Sequence, residues 1–174
     1  MSEHDGAWAA RIIARFAREH IEAAVRVGDF SDPVHAQYLV DTLVQRQRLI
    51  LQRYFSRLSP LSDVKVQAGE LCATDLARKT ASWPATAFQY SATLERATGR
   101  ESVAVRAHVD GTVCVPLLAT AATSLPEASA ARYLTLTLRN GSSIGPLRVH
   151  MYDLGATRGF RVVGIERTLG GHER

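Results

Sequence analysis

Hydrophobic positions follow two different periods along the chain, and the change falls in RLSPLSD at residues 57–63. Before this segment, apolar residues recur every three to four positions, which is typical of amphipathic helices. After it, apolar and polar residues alternate and β-branched residues become frequent, which is typical of strands. The sequence therefore predicts an α+β fold: a helical hairpin over residues 1–60, followed by an antiparallel β-sandwich-like domain over residues 61–174, the two forming one structural unit.

The first helical segment is predicted over residues 5–27, where Trp8, Ile12 and Phe16 begin an apolar stripe. The pattern fits one continuous helix, or two helices joined near Ala17. In either case the stripe is expected to face the second helix of the hairpin, because apolar faces of neighbouring helices pack against each other.

The second helix has a clear predicted start. The side chain of Asp32 can accept hydrogen bonds from free backbone amides, while Pro33 suits the first helical position, where no N–H donor is needed. Apolar spacing continues to about residue 58, just before Pro60 ends the helix.

The C-terminal part is predicted to be mainly strands. A short strand over residues 63–67 and a short helix over residues 70–79 come first. A three-stranded antiparallel meander follows in TAFQYSATLE, ESVAVRAHV and TVCVPL, with a type I′ turn at Asp110–Gly111. Small residues predict a surface loop over residues 119–131. The last strands are expected in RYLTLTLR, LRVHMYD and GFRVVGIE.

Composition changes this picture little. The chain has 21 basic residues, only two of them lysine, against 17 acidic residues and a net charge of +4, so charge alone gives no support for nucleic-acid binding. No secretory signal or membrane-spanning segment is evident, and a cytoplasmic location is the default expectation. Cys72 and Cys114 could form a disulfide in an oxidising compartment or lie as buried free thiols, and their apolar neighbours favour burial.

Four side chains form the candidate ligand-binding cluster. Alternation along LRVHMYD places Arg148, His150 and Tyr152 on the face opposite the apolar one, beside Thr135 if the two strands pair. Such a group could bind an anion or a sugar. The alternative is an ordinary solvated sheet face, which normally carries mixed polar residues.

Other chemistry finds little support in the sequence. There is no serine elbow, no phosphate-binding glycine loop and no histidine or cysteine pair at metal-ligand spacing, so neither a metal nor a cofactor is expected. The second half of the long helix carries Arg46, Arg53 and Arg57, which could dock an acidic partner or a phosphate backbone. The alternative is that these cations simply complement the helix macrodipole.

A resemblance covers roughly residues 5–60. The stretch DGAWAARIIARFAREHIEAAVRVGDFSDPVHAQYLVDTLVQRQRLILQRYF, and more weakly PLRVHMYDLGATRGFRVVGIER, resembles a segment of large, mostly uncharacterised bacterial proteins. In those proteins a region similar to the catalytic lobe of kinase-like phosphotransferases precedes it. This chain lacks the Asp-Phe-Gly triplet, the catalytic-loop Asp and the nucleotide-binding Lys, so the resemblance implies no catalytic residue.

These observations favour a non-catalytic interaction or accessory module, whose partner would be another protein or an upstream catalytic domain. One alternative is part of a hydrolase or transferase acting on a phosphate or carboxylate ester, with Arg148, His150 and Tyr152 as its working groups. A second alternative is nucleic-acid binding through the arginines of the long helix, which the lack of interleaved exposed aromatics weakens.

Overall fold

The computed structural model describes residues 2–119, 129–141 and 144–170. Its N-terminal part holds three helices: α1 (Glu3–Ile13), α2 (Arg18–Arg26) and α3 (Pro33–Phe55). The predicted first segment is therefore two helices, with Ala17 as the N-cap of α2. The Asp32 side chain accepts a hydrogen bond from the Val34 amide at 2.8 Å, and Pro33 takes the first position of α3, as predicted.

Both α1 and α2 pack along α3, which makes the predicted antiparallel hairpin. The side chains of α1 that face α3 are small, since Ala7, Ala10 and Ala14 are buried while Leu51 and Phe55 fill the space opposite. The prediction that Trp8, Ile12 and Phe16 face this contact is wrong, because all three are exposed. Alanines allow a closer approach of the two helices than large side chains would.

The strands form two antiparallel sheets, in agreement with the predicted α+β class and sandwich-like arrangement. The first sheet has the order β1-β2-β6-β5 and the second the order β4-β3-β7-β8-β9. Their bounds are β1 Leu61–Gln67, β2 Glu70–Asp75, β3 Tyr90–Arg96, β4 Gly99–Val103, β5 Arg106–Ala107, β6 Thr112–Pro116, β7 Tyr133–Asn140, β8 Leu147–Asp153 and β9 Phe160–Arg167.

One apolar core joins the two sheets. Leu71, Val113 and Val115 of the first sheet belong to the same buried cluster as Leu136 and Val149 of the second. The predicted alternation of the last strands is confirmed, because every apolar position of β7 and β8 that faces this cluster is buried. The second cluster lies under the helices and reaches α4 (Leu76–Lys79), so the hairpin packs directly on the β domain.

The helix predicted over residues 70–79 is wrong over most of its length. Leu71, Ala73 and Asp75 alternate as buried positions of β2, which lies between β1 and β6. Only residues 76–79 form a helical turn, α4, and the Asp75 side chain caps it by accepting a hydrogen bond from the Arg78 amide. Pairing on both sides of β2 satisfies more backbone groups than an isolated helix of this length could.

The predicted three-stranded meander is also wrong, because ESVAVRAHV does not form one strand. β4 pairs with β3 in the second sheet, whereas β5 pairs with β6 in the first, so the chain crosses between the sheets at residues 104–105. The turn into β6 is not type I′ either. Gly111 has a positive φ of 89°, but Asp110 does not, and the Gly111 amide donates to the His108 carbonyl oxygen.

A disulfide joins Cys72 and Cys114, which are direct register partners on β2 and β6. Of the two alternatives that the sequence leaves open, the structure has the disulfide. Most of the loop predicted over residues 119–131 lies outside the described residues. Among the described helices, none is both long enough and apolar enough to cross a membrane.

Candidate functional site

Pairing of β7 with β8 brings the predicted cluster together. Thr135 is the register partner of His150, and Tyr133 is the partner of Tyr152. Arg148 lies on the same face, opposite Thr137. Since the apolar residues of both strands point into the core, this polar group occupies the outer face of the second sheet, where alternation placed it.

His150 is the centre of the group. Its Nδ1 lies 2.6 Å from the Tyr133 Oη and 3.4 Å from the Thr135 Oγ1. Its Nε2 lies 3.6 Å from a Glu166 carboxylate oxygen on β9. The Tyr133 ring also stacks on the imidazole and meets the Tyr152 ring edge-on. A hydroxyl and a carboxylate thus flank the two ring nitrogens.

Two members of this group, Tyr133 and Glu166, were not among the predicted site residues. Tyr133 could have been found, because alternation in YLTLT places it on the same face as Thr135. Glu166 could not, because its position beside His150 depends on the register of β9 and on the irregularity that this pairing contains at His150 and Met151.

The surroundings limit what the cluster can do. The His150 side chain is 26% exposed and that of Glu166 is 48% exposed, so neither is held in a dry site. Arg148 already faces Glu166, with 3.8 Å between its Nη1 and a carboxylate oxygen. A shallow depression of about 330 Å³ reaches Tyr133 and Thr135 from the side of Glu95 and Arg96. The geometry suits surface binding or proton exchange with solvent better than catalysis in an enclosed site.

The three arginines predicted as a docking face have different surroundings. Arg53 and Arg57 both form ion pairs with Glu3 of α1, at 2.7 Å and 3.1 Å. The hydrogen bond from Arg53, together with the charges of both arginines, lowers the pKa of the Glu3 carboxyl. These two cations therefore tie α1 to α3, whereas Arg46 lies apart from them.

Arg46 lies at an apolar groove between the three helices. The groove has a volume of about 380 Å³, and the side chains that line it are Ile13, Phe16, His20, Ile21, Ala24, Leu43, Arg46, Gln47 and Ile50. Gln47 shapes one side, because its amide donates hydrogen bonds to the carbonyl oxygens of Ile13 and Phe16 at the end of α1. Among the residues that the structure describes, no carboxylate belongs to this lining, and the one permanent charge there is that of Arg46.

The exposed stripe of α1 continues the groove. Phe16, in the connection between α1 and α2, lines the groove and is 52% exposed. Trp8 and Ile12 are four residues apart and so lie on the same side of α1, where both are exposed, Trp8 with 64% of its surface. Groove and stripe together form one apolar surface, which we call the helical groove surface.

A buried polar network lies between the helices and the sheets. The Asp75 carboxylate is fully buried and accepts hydrogen bonds from the Tyr90 hydroxyl and the Asn140 amide, each at 2.7 Å, and from the Arg78 amide at 3.1 Å. Burial raises the pKa of Asp75 despite these donors. Burial and the neighbouring Asp75 charge likewise raise the pKa of Tyr90.

The Asp153 carboxylate, at the end of β8, is also buried. It accepts a hydrogen bond from the Gly155 amide and forms an ion pair with Arg96 at 3.3 Å.

A third group brings potential metal ligands together. Glu70, Cys72 and Cys114 place their ligand atoms within 4.8 Å of one another. Both sulfur atoms are bonded in the disulfide, and Glu70 forms an ion pair with Arg106. A metal could bind there only after reduction, since thiolates are the ligands.

Comparison with models of protein families, with curated proteins and with solved structures finds no match to this chain. The function must therefore be argued from the surfaces described above.

Proposed function

We propose that this chain is a non-catalytic interaction module, and that its helical groove surface docks an amphipathic helix of a protein partner. The observation that carries the proposal is the exposed apolar side chains: Trp8 and Ile12 lie on one side of α1, and Phe16, just beyond its end, lines a groove of about 380 Å³. Contiguous apolar surface of this kind is typical of protein interaction sites. Tryptophan is also among the residues that contribute most to binding free energy.

The shape of the groove favours a helix as the occupant. A groove between packed helices accepts the apolar face of another helix, whose side chains at positions i, i+3, i+4 and i+7 fill it. Its charge indicates which helix. Because Arg46 brings a positive charge to the lining and no carboxylate of the described residues accompanies it, an acidic residue beside the apolar face of the partner would be favoured.

The ion pairs of the hairpin add to this argument. Arg53 and Arg57 pair with Glu3, and Arg18 pairs with Asp41 at 2.6 Å, so ion pairs link both α1 and α2 to the α3 side of the groove. A preformed groove binds at a smaller entropic cost than one that must be ordered first. The resemblance to C-terminal parts of larger bacterial proteins is compatible with an accessory role of this kind.

A displayed library of amphipathic helical peptides tests the proposal. We expect selection on the wild-type chain to enrich peptides with an apolar face and flanking glutamates or aspartates. Phe16→Glu should abolish their binding, because it places a charge in the groove. Val34→Glu is the matched control, since Val34 is exposed at the start of α3 and does not line the groove.

Two results would count against this function. One is enrichment of peptides without an apolar helical face. The other is equal loss of binding in Phe16→Glu and Val34→Glu, which would indicate a general effect of added charge. Thermal unfolding of both variants shows whether the fold is intact.

A second candidate is favoured by the geometry at His150. The 2.6 Å contact between Tyr133 and His150, with Glu166 beside the other ring nitrogen, is an arrangement that can move a proton. In this case the chain would act on a phosphate or carboxylate ester, with Arg148 and Tyr152 binding the anion. Hydrolysis of p-nitrophenyl phosphate and p-nitrophenyl acetate tests it, because turnover that His150→Ala leaves unchanged would remove this candidate.

A further inference from the structure

We propose that Arg11 and Arg167 together form a binding site for a phosphate group. Arg11 lies on α1 and Arg167 is the last residue of β9, so the site lies where the helical part meets the second sheet. Neither residue lines the groove between the helices. The site is therefore distinct from the helical groove surface and does not depend on the function proposed for it.

Both guanidinium groups are held by the same short stretch of backbone. The Arg11 Nη2 donates a hydrogen bond to the Ser59 carbonyl oxygen at 3.0 Å, and the Arg167 Nη2 donates one to the Leu61 carbonyl oxygen at 2.7 Å. Ser59 precedes a proline and Leu61 begins β1, so the chain between them is extended. Because two residues of extended chain span about 7 Å, the two guanidinium groups are anchored at about this spacing.

The two cations have no counter-ion among residues 2–119, 129–141 and 144–170. Neither forms an ion pair there, and each makes only its one hydrogen bond to a carbonyl oxygen. Asp63, two residues after Leu61, pairs with Arg15 instead, at 2.7 Å. Burial and the charge of Arg167 lower the pKa of Arg11 to about 10, and burial lowers the pKa of Arg167. Partly buried like charges cost free energy, which a bound anion would offset.

A ligand can reach one nitrogen of each guanidinium group. The Nε atoms of Arg11 and Arg167 are buried and unpaired, and no ligand contacts them. The Nη1 atoms are not among the buried atoms, and both side chains are partly exposed. Each arginine therefore uses its Nη2 to hold the backbone and leaves its Nη1 available at the surface as a donor.

Spacing and charge favour a tetrahedral dianion as the ligand. Two charge-assisted hydrogen bonds of about 2.8 Å each, made to two oxygens of one phosphate, span a gap of this size. A carboxylate would compensate only one of the two positive charges, whereas a phosphate dianion compensates both. The planar guanidinium group also matches the arrangement of phosphate oxygens better than an ammonium group does.

Inorganic phosphate is the probe, with chloride at equal ionic strength as the reference. In an NMR titration of the 15N-labelled full chain, we expect phosphate to shift the side-chain Nε–H signals of Arg11 and Arg167 saturably and to leave that of Arg15 in place. Phosphate should also raise the urea midpoint above that in chloride, because it binds only the folded chain. Methyl phosphate identifies the source of the group: tighter binding than inorganic phosphate indicates a phosphorylated molecule, and weaker binding indicates the free ion.

Arg11→Met and Arg15→Met are the matched variants, because each removes one positive charge at the same end of the helical part. The Arg15 side chain is 57% exposed and pairs with Asp63. Phosphate should bind Arg11→Met about tenfold more weakly or worse, since one hydrogen bond between charged groups is lost, and should bind Arg15→Met nearly as it binds the wild type. Arg167→Gln tests the site from β9 if Arg11→Met does not fold, and the same weakening is expected.

Three results would overturn the proposal: no saturable shift of the Arg11 and Arg167 signals with phosphate, unchanged phosphate binding in Arg11→Met or Arg167→Gln, or equal weakening in Arg15→Met, which would indicate a general effect of net charge.

Discussion

Reduction of the Cys72–Cys114 disulfide should destabilise the protein by about 4 kcal/mol. The bond links residues 42 positions apart, and in the chain-entropy model a closed loop of this length lowers the entropy of the unfolded chain by an amount worth about 4 kcal/mol at 25 °C. The native state should change little, because β2 and β6 keep their backbone pairing on either side of the bond.

Urea unfolding of the wild-type chain with and without a reductant measures the effect. At a typical dependence of stability on urea, the midpoint should fall by roughly 2 M. The double variant Cys72→Ala/Cys114→Ala controls for direct effects of the reductant, since its midpoint should be the same in both buffers. Thiol titration of the unfolded, unreduced chain should find no free thiol.

A midpoint that the reductant leaves unchanged in the wild type, together with two titratable thiols, would refute the reasoning. It would mean that the register of β2 and β6 does not place the two sulfur atoms together. The contact between Glu70 on β2 and Arg106 on β5, the two strands that flank β6, would then also be in doubt.

Three further predictions concern stability, each measured by urea unfolding. Burial raises the native-state pKa of Asp75. The stability of the wild type relative to Asp75→Asn should therefore be greatest below about pH 4 and decline as pH rises through that pKa. A stability difference that is independent of pH would contradict this. Leu136→Ala removes a fully buried side chain and should cost about 2–5 kcal/mol, whereas the exposed Val163→Ala should change little; similar losses would mean that the two strand faces are assigned wrongly. Gly145→Ala should cost about 1–3 kcal/mol, because its Cβ would collide with the Thr168 carbonyl oxygen; unchanged stability would show that this close approach does not exist.

The sequence correctly predicts those parts of the fold where the local preference of the chain and its tertiary packing favour the same structure. The start of α3 follows from Asp32 and Pro33, because a capping side chain and a proline at the first position both act within one turn. The strands β7 and β8 follow from strict alternation of Leu134, Leu136 and Leu138 with polar residues. In both cases tertiary packing agrees with the local preference.

Errors arise where pairing with distant strands decides. GELCATDLARK has residues that suit a helix, but its first half becomes β2 because β1 and β6 pair on both of its sides. ESVAVRAHV alternates throughout, yet the chain changes sheets in the middle, and no local signal marks residues 104–105. Alternation predicts which side chains share a face, and it cannot predict which sheet a strand joins.

The candidate sites show the same limit. Arg148, His150, Tyr152 and Thr135 share a face as expected, because period and register agree. The helical groove surface was missed, since Trp8 and Ile12 of α1 and Phe16 just after it are large apolar residues and were assigned to the contact with α3. Ala7, Ala10 and Ala14 are buried there instead. The close approach of α1 to α3 is shown by Gly6, where an added Cβ would collide with the Tyr54 ring. Small residues at helical spacing were the signal that could have revealed it.

NMR mapping of a bound peptide tests the central claim most directly. The 15N-labelled chain would be titrated with the most enriched acidic amphipathic peptide from the displayed library. We predict saturable shifts of the amides of Ile21, Ala24 and Ile50, which line the groove, and weaker binding to Arg46→Glu. Shifts confined to the face around His150, or undiminished binding to Arg46→Glu, would contradict the account.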